Sequence, residues 1–231
     1  MEGVGLGAPL TAQGAPGIAG FVGASGILGG TFDPPHLGHV AIAEDVRERL
    51  GLSRVLFIPA ASPPHKTDRA VTPAADRARM VELAIAANDA FVMSPVELER
   101  PGLSFSADTV EQLVVDAEAA GADARFVLIV SGEALAALPT WHDPERLLRA
   151  CHVAVVDRPG FRTPERRWVG EHFPGLEDRV VFVSGPRLCH SSSDIRARVA
   201  AGRSIRYLVA PAVADYIEEH HLYAADTPHA A

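Results

Sequence analysis

Residues 26–39 read Gly-Ile-Leu-Gly-Gly-Thr-Phe-Asp-Pro-Pro-His-Leu-Gly-His, an order that predicts a strand end, a turn and a helix start. The paired glycines at 29–30 permit tight or positive-φ turns and the close approach of a ligand. The segment Asp33-Pro-Pro35 interrupts regular structure and sets the direction of the loop. From Leu37 to Leu50 the apolar periodicity predicts an amphipathic helix, which Gly51 ends.

Two histidines, His36 and His39, stand at the start of this predicted helix, and residues three apart lie on one helix face. Unbonded N–H groups and the helix dipole favour an anion there, and Gly38 leaves room for a phosphate. Two imidazoles so placed can donate hydrogen bonds to a phosphoryl group as charge develops in a transition state. The alternative interpretations are a helix cap with incidental histidines and a pair of metal ligands.

Strands and helices alternate along the rest of the chain. Apolar runs predict strands at 54–59, 91–94, 125–130, 152–157 and 179–183. Helices are predicted after Thr72-Pro73, Ser106, Asp143-Pro144 and Thr163-Pro164, and near 192–201 and 211–221. This alternation predicts an α/β fold of one domain, built on a doubly wound parallel sheet. Ligands bind such sheets at the carboxyl ends of the strands, so we expect four segments to meet at one rim. They are the His36/His39 loop, the Lys66 loop, residues 131–141 and the loop before Ser191.

Composition excludes several classes of protein. The 231 residues are 48% hydrophobic and carry a formal net charge of −8, which argues against non-specific nucleic-acid binding. No apolar run is long enough to predict a membrane span.

The first 24 residues are rich in Gly and Ala and lack Lys and Arg, so they predict a flexible tail and no signal peptide. Two cysteines make no disulfide framework, and a cytoplasmic location is expected. The pairs Cys151-His152 and Cys189-His190 raise a zinc site as a less favoured alternative.

The segment Gly29–His39 resembles the GGTFDPxHxGH signature of the nucleotidyltransferases with an HxGH motif, and more narrowly of the bacterial nicotinate-nucleotide adenylyltransferases. The resemblance implies a Rossmann-like fold and the transfer of AMP from ATP to nicotinate mononucleotide. It also implies that His36 and His39 hold and polarise the ATP phosphates. Residues 25–223 are then the predicted nucleotidyltransferase domain, between the flexible tail of residues 1–24 and a C-terminal tail of residues 224–231.

Three further segments are similar to motifs of this family. Pro63-Pro-His-Lys66 matches a tetrapeptide whose lysine meets nucleotide phosphate. Residues 100–109 resemble R-x-G-x-S-Y-T-x-D-T, which lines the pyridine end of the acceptor, and Trp141 matches a tryptophan that stacks on the pyridine ring. Residues 190–196 resemble I-S-S-T-x-I-R, whose serines and arginine bind the ATP phosphates, with His190 in place of Ile.

The resemblance therefore implies a set of site residues. The predicted catalytic residues are His36, His39, Lys66 and Arg196. The predicted ATP-binding residues are Gly29, Gly30, Thr31, Phe32, His36, His39, Ser191, Ser192 and Arg196. The predicted acceptor-binding residues are Lys66, Ser106, Asp108, Thr109, Glu133 and Trp141. Mg²⁺ is expected to accompany ATP, and no protein side chain is predicted to bind metal.

One segment departs from the family pattern. The family carries Gly-x-Asp after the central strand, where this chain has Ser131-Gly-Glu133. The departure leaves open the same chemistry on nicotinamide mononucleotide or another phosphate acceptor, such as phosphopantetheine. It also leaves open a nucleotide-binding paralogue with weak catalysis. The oligomeric state stays open as well, with a homo-oligomer among the alternatives.

Overall fold

One parallel β-sheet forms the centre of the protein. The computed structural model describes residues 18–61, 71–157, 160–186, 188 and 190–224. In these ranges the strands are β1 (Ser25–Gly30), β2 (Arg54–Pro59), β3 (Phe91–Met93), β4 (Phe126–Ser131), β5 (His152–Val156) and β6 (Val180–Val183). They lie in the order β3-β2-β1-β4-β5-β6, and each neighbouring pair is parallel.

Helices cover both faces of this sheet. They are α1 (Leu37–Leu50), α2 (Ala74–Ile85), α3 (Ser106–Ala119), α4 (Gly132–Ala137), α5 (Pro144–Ala150), α6 (Arg166–His172), α7 (Ser192–Ala200) and α8 (Pro211–Glu219). Successive side chains of a strand point to opposite faces, so Leu28 packs in one cluster with Val46 of α1, whereas Ile27 packs in another with Val110 of α3. The predicted doubly wound α/β fold is confirmed.

The strand order reverses between β1 and β4. Ile27 of β1 pairs with Leu56 of β2 on one side and with Leu128 of β4 on the other. In an open parallel sheet such a switch point leaves a crevice at the carboxyl ends of the two strands, where ligands bind. A third apolar cluster joins α2, α7 and α8 through residues that include Met80 and Ile195. The C-terminal helices are therefore packed onto the main body of the fold.

Several element boundaries differ from those predicted. Gly29 and Gly30 belong to β1, because they pair with Ile58 and Pro59 of β2, and the positive φ of this segment, 51°, falls on Phe32. The short helix α4 was not predicted. The packed structure also begins before residue 25, since Phe21 is only 2% exposed and joins the core.

Within the described ranges, no helix is both long enough and apolar enough to cross a membrane.

Candidate active site

A cavity of about 840 Å³ lies at the carboxyl ends of β1 and β4. Small-molecule sites commonly measure roughly 300–1,000 Å³, so the space suits a nucleotide-sized ligand. Two groups of side chains line it. The imidazole side consists of His36, His39, His190, Ser191, Ser192 and Arg196, from the starts of α1 and α7. The aromatic side consists of Glu97, Phe105, Ser106, Trp141 and His142, from the loop after β3, the start of α3 and the segment after α4.

The two histidines of the opening stretch lie against each other on the imidazole side. The rings of His36 and His39 are stacked, with centroids 3.7 Å apart and planes at 16°. The backbone N–H of His36 donates to Nδ1 of His39 at 3.1 Å. Since that nitrogen accepts a hydrogen bond, the neutral imidazole of His39 carries its proton on Nε2. The ring is thus set as a donor, and the expectation that both rings lie together is met.

A buried phenyl ring supports this pair from beneath. Phe32 is 2% exposed and meets His39 edge to face, with ring centroids 5.0 Å apart. A Cβ at Gly30 would come within 3.3 Å of the Phe32 ring, whereas one at Gly29 would project into open space. Gly29, Gly30 and Thr31 line the cavity, but Phe32 does not. The Phe32 ring thus packs beneath His39, and the ATP contact of this residue stays a prediction.

The start of α7 is tied to the same loop. Ser191 caps the helix, its Oγ accepting from the N–H of Asp194 at 3.0 Å. The hydroxyl of Ser192 donates to the carbonyl of Pro34 at 2.8 Å, and Arg196 Nη1 donates to the carbonyl of Asp33 at 2.6 Å. The N-termini of α1 and α7 therefore meet at one side of the cavity. Helix N-termini favour anions, so their charge effects act on the same ligand.

A third imidazole joins this side. His190 lies just before the cap of α7 and lines the cavity, and its ring centroid is 6.0 Å from that of His36. The residue marked in the sequence as a replacement for Ile thus adds a polar ring to the site. Sequence reasoning had considered it only as that replacement and as half of a zinc pair.

The aromatic side offers flat apolar surfaces. Phe105 and His142 lie against each other, with ring centroids 4.3 Å apart and planes at 31°. Trp141 packs on the core of the α3 face and also lines the cavity, beside Ser106. An aromatic wall beside a helix start suits a planar ring that carries an anionic substituent.

Comparison with known proteins places this site in a family. The cytidylyltransferase-like family matches residues 27–198. A protein of Roseiflexus sp. named "Probable nicotinate-nucleotide adenylyltransferase" is 46% identical over 198 residues, covering 86% of this chain and 96% of its own. A protein of Herpetosiphon aurantiacus with the same name is 44% identical over 202 residues, covering 87% and 98%. The chain belongs to the nicotinate-nucleotide adenylyltransferase family. The resemblance of the motifs is thereby confirmed.

Solved structures agree with this placement at the level of the fold. The nicotinic acid mononucleotide adenylyltransferase of Plasmodium falciparum, complexed with NaAD, superposes with a TM-score of 0.70. The match covers 87% of this chain and 97% of that one, at 17% sequence identity. At this identity the likeness supports the Rossmann-like architecture alone.

Two of the predicted acceptor residues of this adenylyltransferase-family chain point elsewhere. Asp108 forms an ion pair with Arg146 of α5. Thr109 is 2% exposed, donates to Oε1 of Glu97 at 2.8 Å and accepts from Arg100 at 2.8 Å. Neither residue lines the cavity. The first turn of α3 directs both side chains toward other protein groups. Ser106 and Trp141 do line it.

The Ser131–Glu133 departure has a structural role. Ser131 ends β4 and caps α4, its Oγ accepting from the N–H of Ala134 at 3.2 Å. A Cβ at Gly132 would come within 2.3 Å of Thr163 Oγ1, so only glycine permits this close packing. Glu133 lies in the first turn of α4 and does not line the cavity, whereas Ser131 does. The structure therefore does not support Glu133 as a side chain that contacts the acceptor.

Glu97 is a site residue that the sequence reasoning missed. It lines the cavity, is 8% exposed, and follows β3 by four residues, where the carboxyl-end rule for strands would have marked it. Burial raises the pKa of its carboxyl, and hydrogen bonds from Thr109 and Ser104 oppose that rise. The aromatic side thus holds a buried carboxyl that takes up a proton more readily than an exposed glutamate does.

Two predictions remain, one on Lys66 and one on the Cys-His pairs. Lys66 falls outside the described residues. Cys151 and His152 lie where β5 begins, at the opposite end of the sheet from His190, and burial raises the pKa of the Cys151 thiol to about 12. Among the described residues no three His, Cys, Asp or Glu side chains come together as metal ligands. Cys189 falls outside the described residues, but His190 lies at the cavity, at the other end of the sheet from Cys151 and His152, so one zinc ion would not bind both.

Proposed function

We propose that the chain transfers AMP from ATP to nicotinate mononucleotide, giving nicotinate adenine dinucleotide and pyrophosphate. One observation carries the proposal. The stacked pair His36/His39 and the guanidinium of Arg196 line the same cavity as Trp141. A site with hydrogen-bond donors and helix N-termini on one side and aromatic rings on the other fits the two substrates of this reaction. The names of the relatives, which match over most of their length, support the same choice of substrates.

The triphosphate would lie on the imidazole side. Nε2 of His39 would donate to a phosphate oxygen, since Nδ1 of the same ring is already occupied as an acceptor. Arg196, 17% exposed in its side chain, would clamp the departing pyrophosphate through its forked N–H groups. Lys66 remains a predicted partner of nucleotide phosphate.

The acceptor would lie on the aromatic side. The pyridinium ring of nicotinate mononucleotide is cationic and planar, so the faces of Trp141 and Phe105 would attract it. Its carboxylate would meet backbone N–H groups at the start of α3, near Ser106. In this arrangement the backbone at the helix start takes the acceptor-binding role that was predicted for Asp108 and Thr109.

The chemistry then needs no protein base. The acceptor phosphate has its second pKa near 6, so it is largely ionised at neutral pH. One of its oxygens attacks the α-phosphorus of ATP in line, forming a new P–O bond while the bond between the α-phosphorus and the bridging oxygen breaks. The electron pair leaves on pyrophosphate. His36, His39 and Arg196 position the groups and stabilise the charge that develops.

Mg²⁺ would arrive with ATP and neutralise part of the charge on the phosphates. The described residues offer no cage of three acidic or histidine ligands, so phosphate oxygens and water would hold the ion. A cytoplasmic location remains a prediction from the sequence, and the oligomeric state stays open, with a homo-oligomer among the alternatives.

The test is a turnover assay on the purified protein. ATP and Mg²⁺ are supplied with nicotinate mononucleotide, nicotinamide mononucleotide or phosphopantetheine, and both pyrophosphate and the adenylylated product are measured. We expect turnover with the nicotinate substrate to exceed the others by at least tenfold in kcat/KM, because the helix start favours a carboxylate over a neutral amide. Preference for another acceptor would reject the substrate, and tight ATP binding without pyrophosphate release would reject the activity.

A further inference from the structure

The C-terminal end of the described chain reaches the loop before α1. Tyr223 lies four residues beyond the end of α8, and its hydroxyl donates to Oδ1 of Asp33 at 2.7 Å. Tyr223 has a φ of 63°, in the left-handed region that a bulky side chain rarely adopts. Such a conformation persists only where surrounding contacts hold it, so the Tyr223–Asp33 contact is a constrained feature of the fold.

The contact between Tyr223 and Asp33 is buried close to a second charged side chain, Arg77. Asp33 is 1% exposed, and burial raises the pKa of the Tyr223 hydroxyl, which therefore keeps its proton and acts as a donor. Arg77, also 1% exposed, lies close enough to act electrostatically on both residues. Its guanidinium donates to the carbonyls of Thr31 at 2.8 Å and Ala61 at 3.2 Å. A buried carboxylate needs such partners, and here they also hold the ends of β1 and β2 together.

Asp33 connects this buried group to the cavity. Its backbone carbonyl accepts from Arg196 Nη1 at 2.6 Å, and its Oδ2 lies 3.9 Å from the same nitrogen. Tyr223 thus binds one carboxylate oxygen while Arg196 lies beside the other. If the tyrosine donor is lost, the carboxylate gains freedom to turn toward Arg196 and compete with phosphate for its guanidinium.

We infer that Tyr223 is a positioning residue for ATP binding, acting through Asp33 on Arg196, so that the segment after α8 completes the imidazole side of the cavity. The inference rests on the proposed function only in naming ATP as the ligand. Nothing in the motif resemblance assigned a role to Tyr223, which is the last residue of the predicted domain.

The experiment compares two tyrosine variants. Tyr223→Phe removes the hydroxyl that binds Asp33, whereas the matched control Tyr216→Phe removes a hydroxyl that binds Asp76 at 2.8 Å, away from the cavity. Hydrogen bonds to charged groups are among the stronger ones, so we expect Tyr223→Phe to raise Kd and KM for ATP about tenfold. KM for the acceptor should change less than about twofold, and Tyr216→Phe should leave all three constants unchanged. An unchanged ATP affinity in Tyr223→Phe, or equal increases in both KM values, would overturn the inference.

Calorimetric titration with ATP and Mg²⁺ separates this inference from the proposed function. If the unmodified protein binds ATP but releases no pyrophosphate, the proposed activity is rejected. The Kd values for ATP of the unmodified protein and of Tyr223→Phe then still test the role of Tyr223. Asp33→Asn, combined with Tyr223→Phe in a double variant, supplies a second test. In the Asp33→Asn background the Tyr223→Phe change should weaken ATP binding by less than about threefold, since the charge through which Tyr223 acts is gone. An undiminished effect there would show that Tyr223 acts by another route.

Discussion

The two sides of the cavity use the first turn of a helix in opposite ways. At α1, the cap His36 and the first-turn residue His39 present their rings to the cavity. At α3, the first-turn residues Asp108 and Thr109 turn away, into an ion pair with Arg146 and a hydrogen bond with Glu97. The cavity there meets Phe105 and Ser106 instead. Polar residues at a helix start therefore serve as ligand contacts in one place and as scaffolding in the other.

This difference suggests that the imidazole side serves the reaction and that the aromatic side serves binding of the acceptor. On the imidazole side, side-chain donors face the position where charge develops, so losing one should reduce turnover. On the aromatic side, rings and backbone N–H groups face the acceptor, so losing a ring should weaken binding of the acceptor. Losing a polar group that bonds only to other protein groups should change the kinetic constants little. The following substitutions test that division, from the largest expected effect to the smallest.

His39→Ala should lower kcat about 100-fold, because it removes the Nε2 donor that the geometry directs at phosphate. KM for the acceptor should stay within about twofold. Steady-state kinetics on the folded variant measure both constants, and His172→Ala, an exposed histidine at the end of α6, is the control. Turnover close to that of the unmodified protein would exclude His39 from the mechanism.

Trp141→Ala should raise KM for the acceptor about tenfold, since base–aromatic stacking contributes roughly 1–3 kcal/mol. KM for ATP should not change, and Trp141→Phe should recover most of the loss. Initial rates at varied concentrations of each substrate separate the two constants. A rise in KM for ATP instead would mean that the aromatic side holds adenine, and the division of the cavity would be reversed.

Glu97→Gln should change the pH dependence of stability. Burial raises the pKa of Glu97 above its usual 4.5, so its contribution to stability is complete below that pH and is lost as pH rises through the raised value. Glutamine stays neutral and can still accept from Thr109. The variant should therefore gain about 2 °C in Tm over the unmodified protein at pH 8, and no gain at pH 4. Thermal unfolding from pH 4 to pH 8 measures this, and a difference independent of pH would contradict it.

Asp108→Asn should leave KM for the acceptor within about twofold, because the side chain pairs with Arg146 at the surface and exposed ion pairs contribute little. Asp178→Asn, which loosens an exposed pair with Arg166, is the matched control. The same initial-rate assay applies. A tenfold rise for Asp108→Asn alone would restore the acceptor role that the resemblance assigned to this residue.

Much of the fold was predictable because it depends on local patterns. Strands β2 and β4 are buried on both faces, so their sequences are continuous apolar runs. Helix α1 is buried on one face, so its apolar residues recur with the helical period. The short helix α4 was not predictable from periodicity, since it has six residues and begins at Gly132. Its start is set by the Ser131 cap and by the close packing of Gly132 on Thr163, a contact 31 residues along the chain.

By itself, the sequence determined the alternation of strands and helices along the chain, the position of the histidine pair at the start of α1, and the family to which the chain belongs. These follow from continuous apolar runs, from a helical period of three to four residues, and from motifs that are contiguous in the chain. Only the tertiary structure decided that Phe32 supports His39, that Asp108 and Thr109 bond to Arg146 and Glu97, and that Tyr223 binds Asp33. The direction of a polar side chain is set by the partner it finds across space, and that partner can lie nearly two hundred residues away.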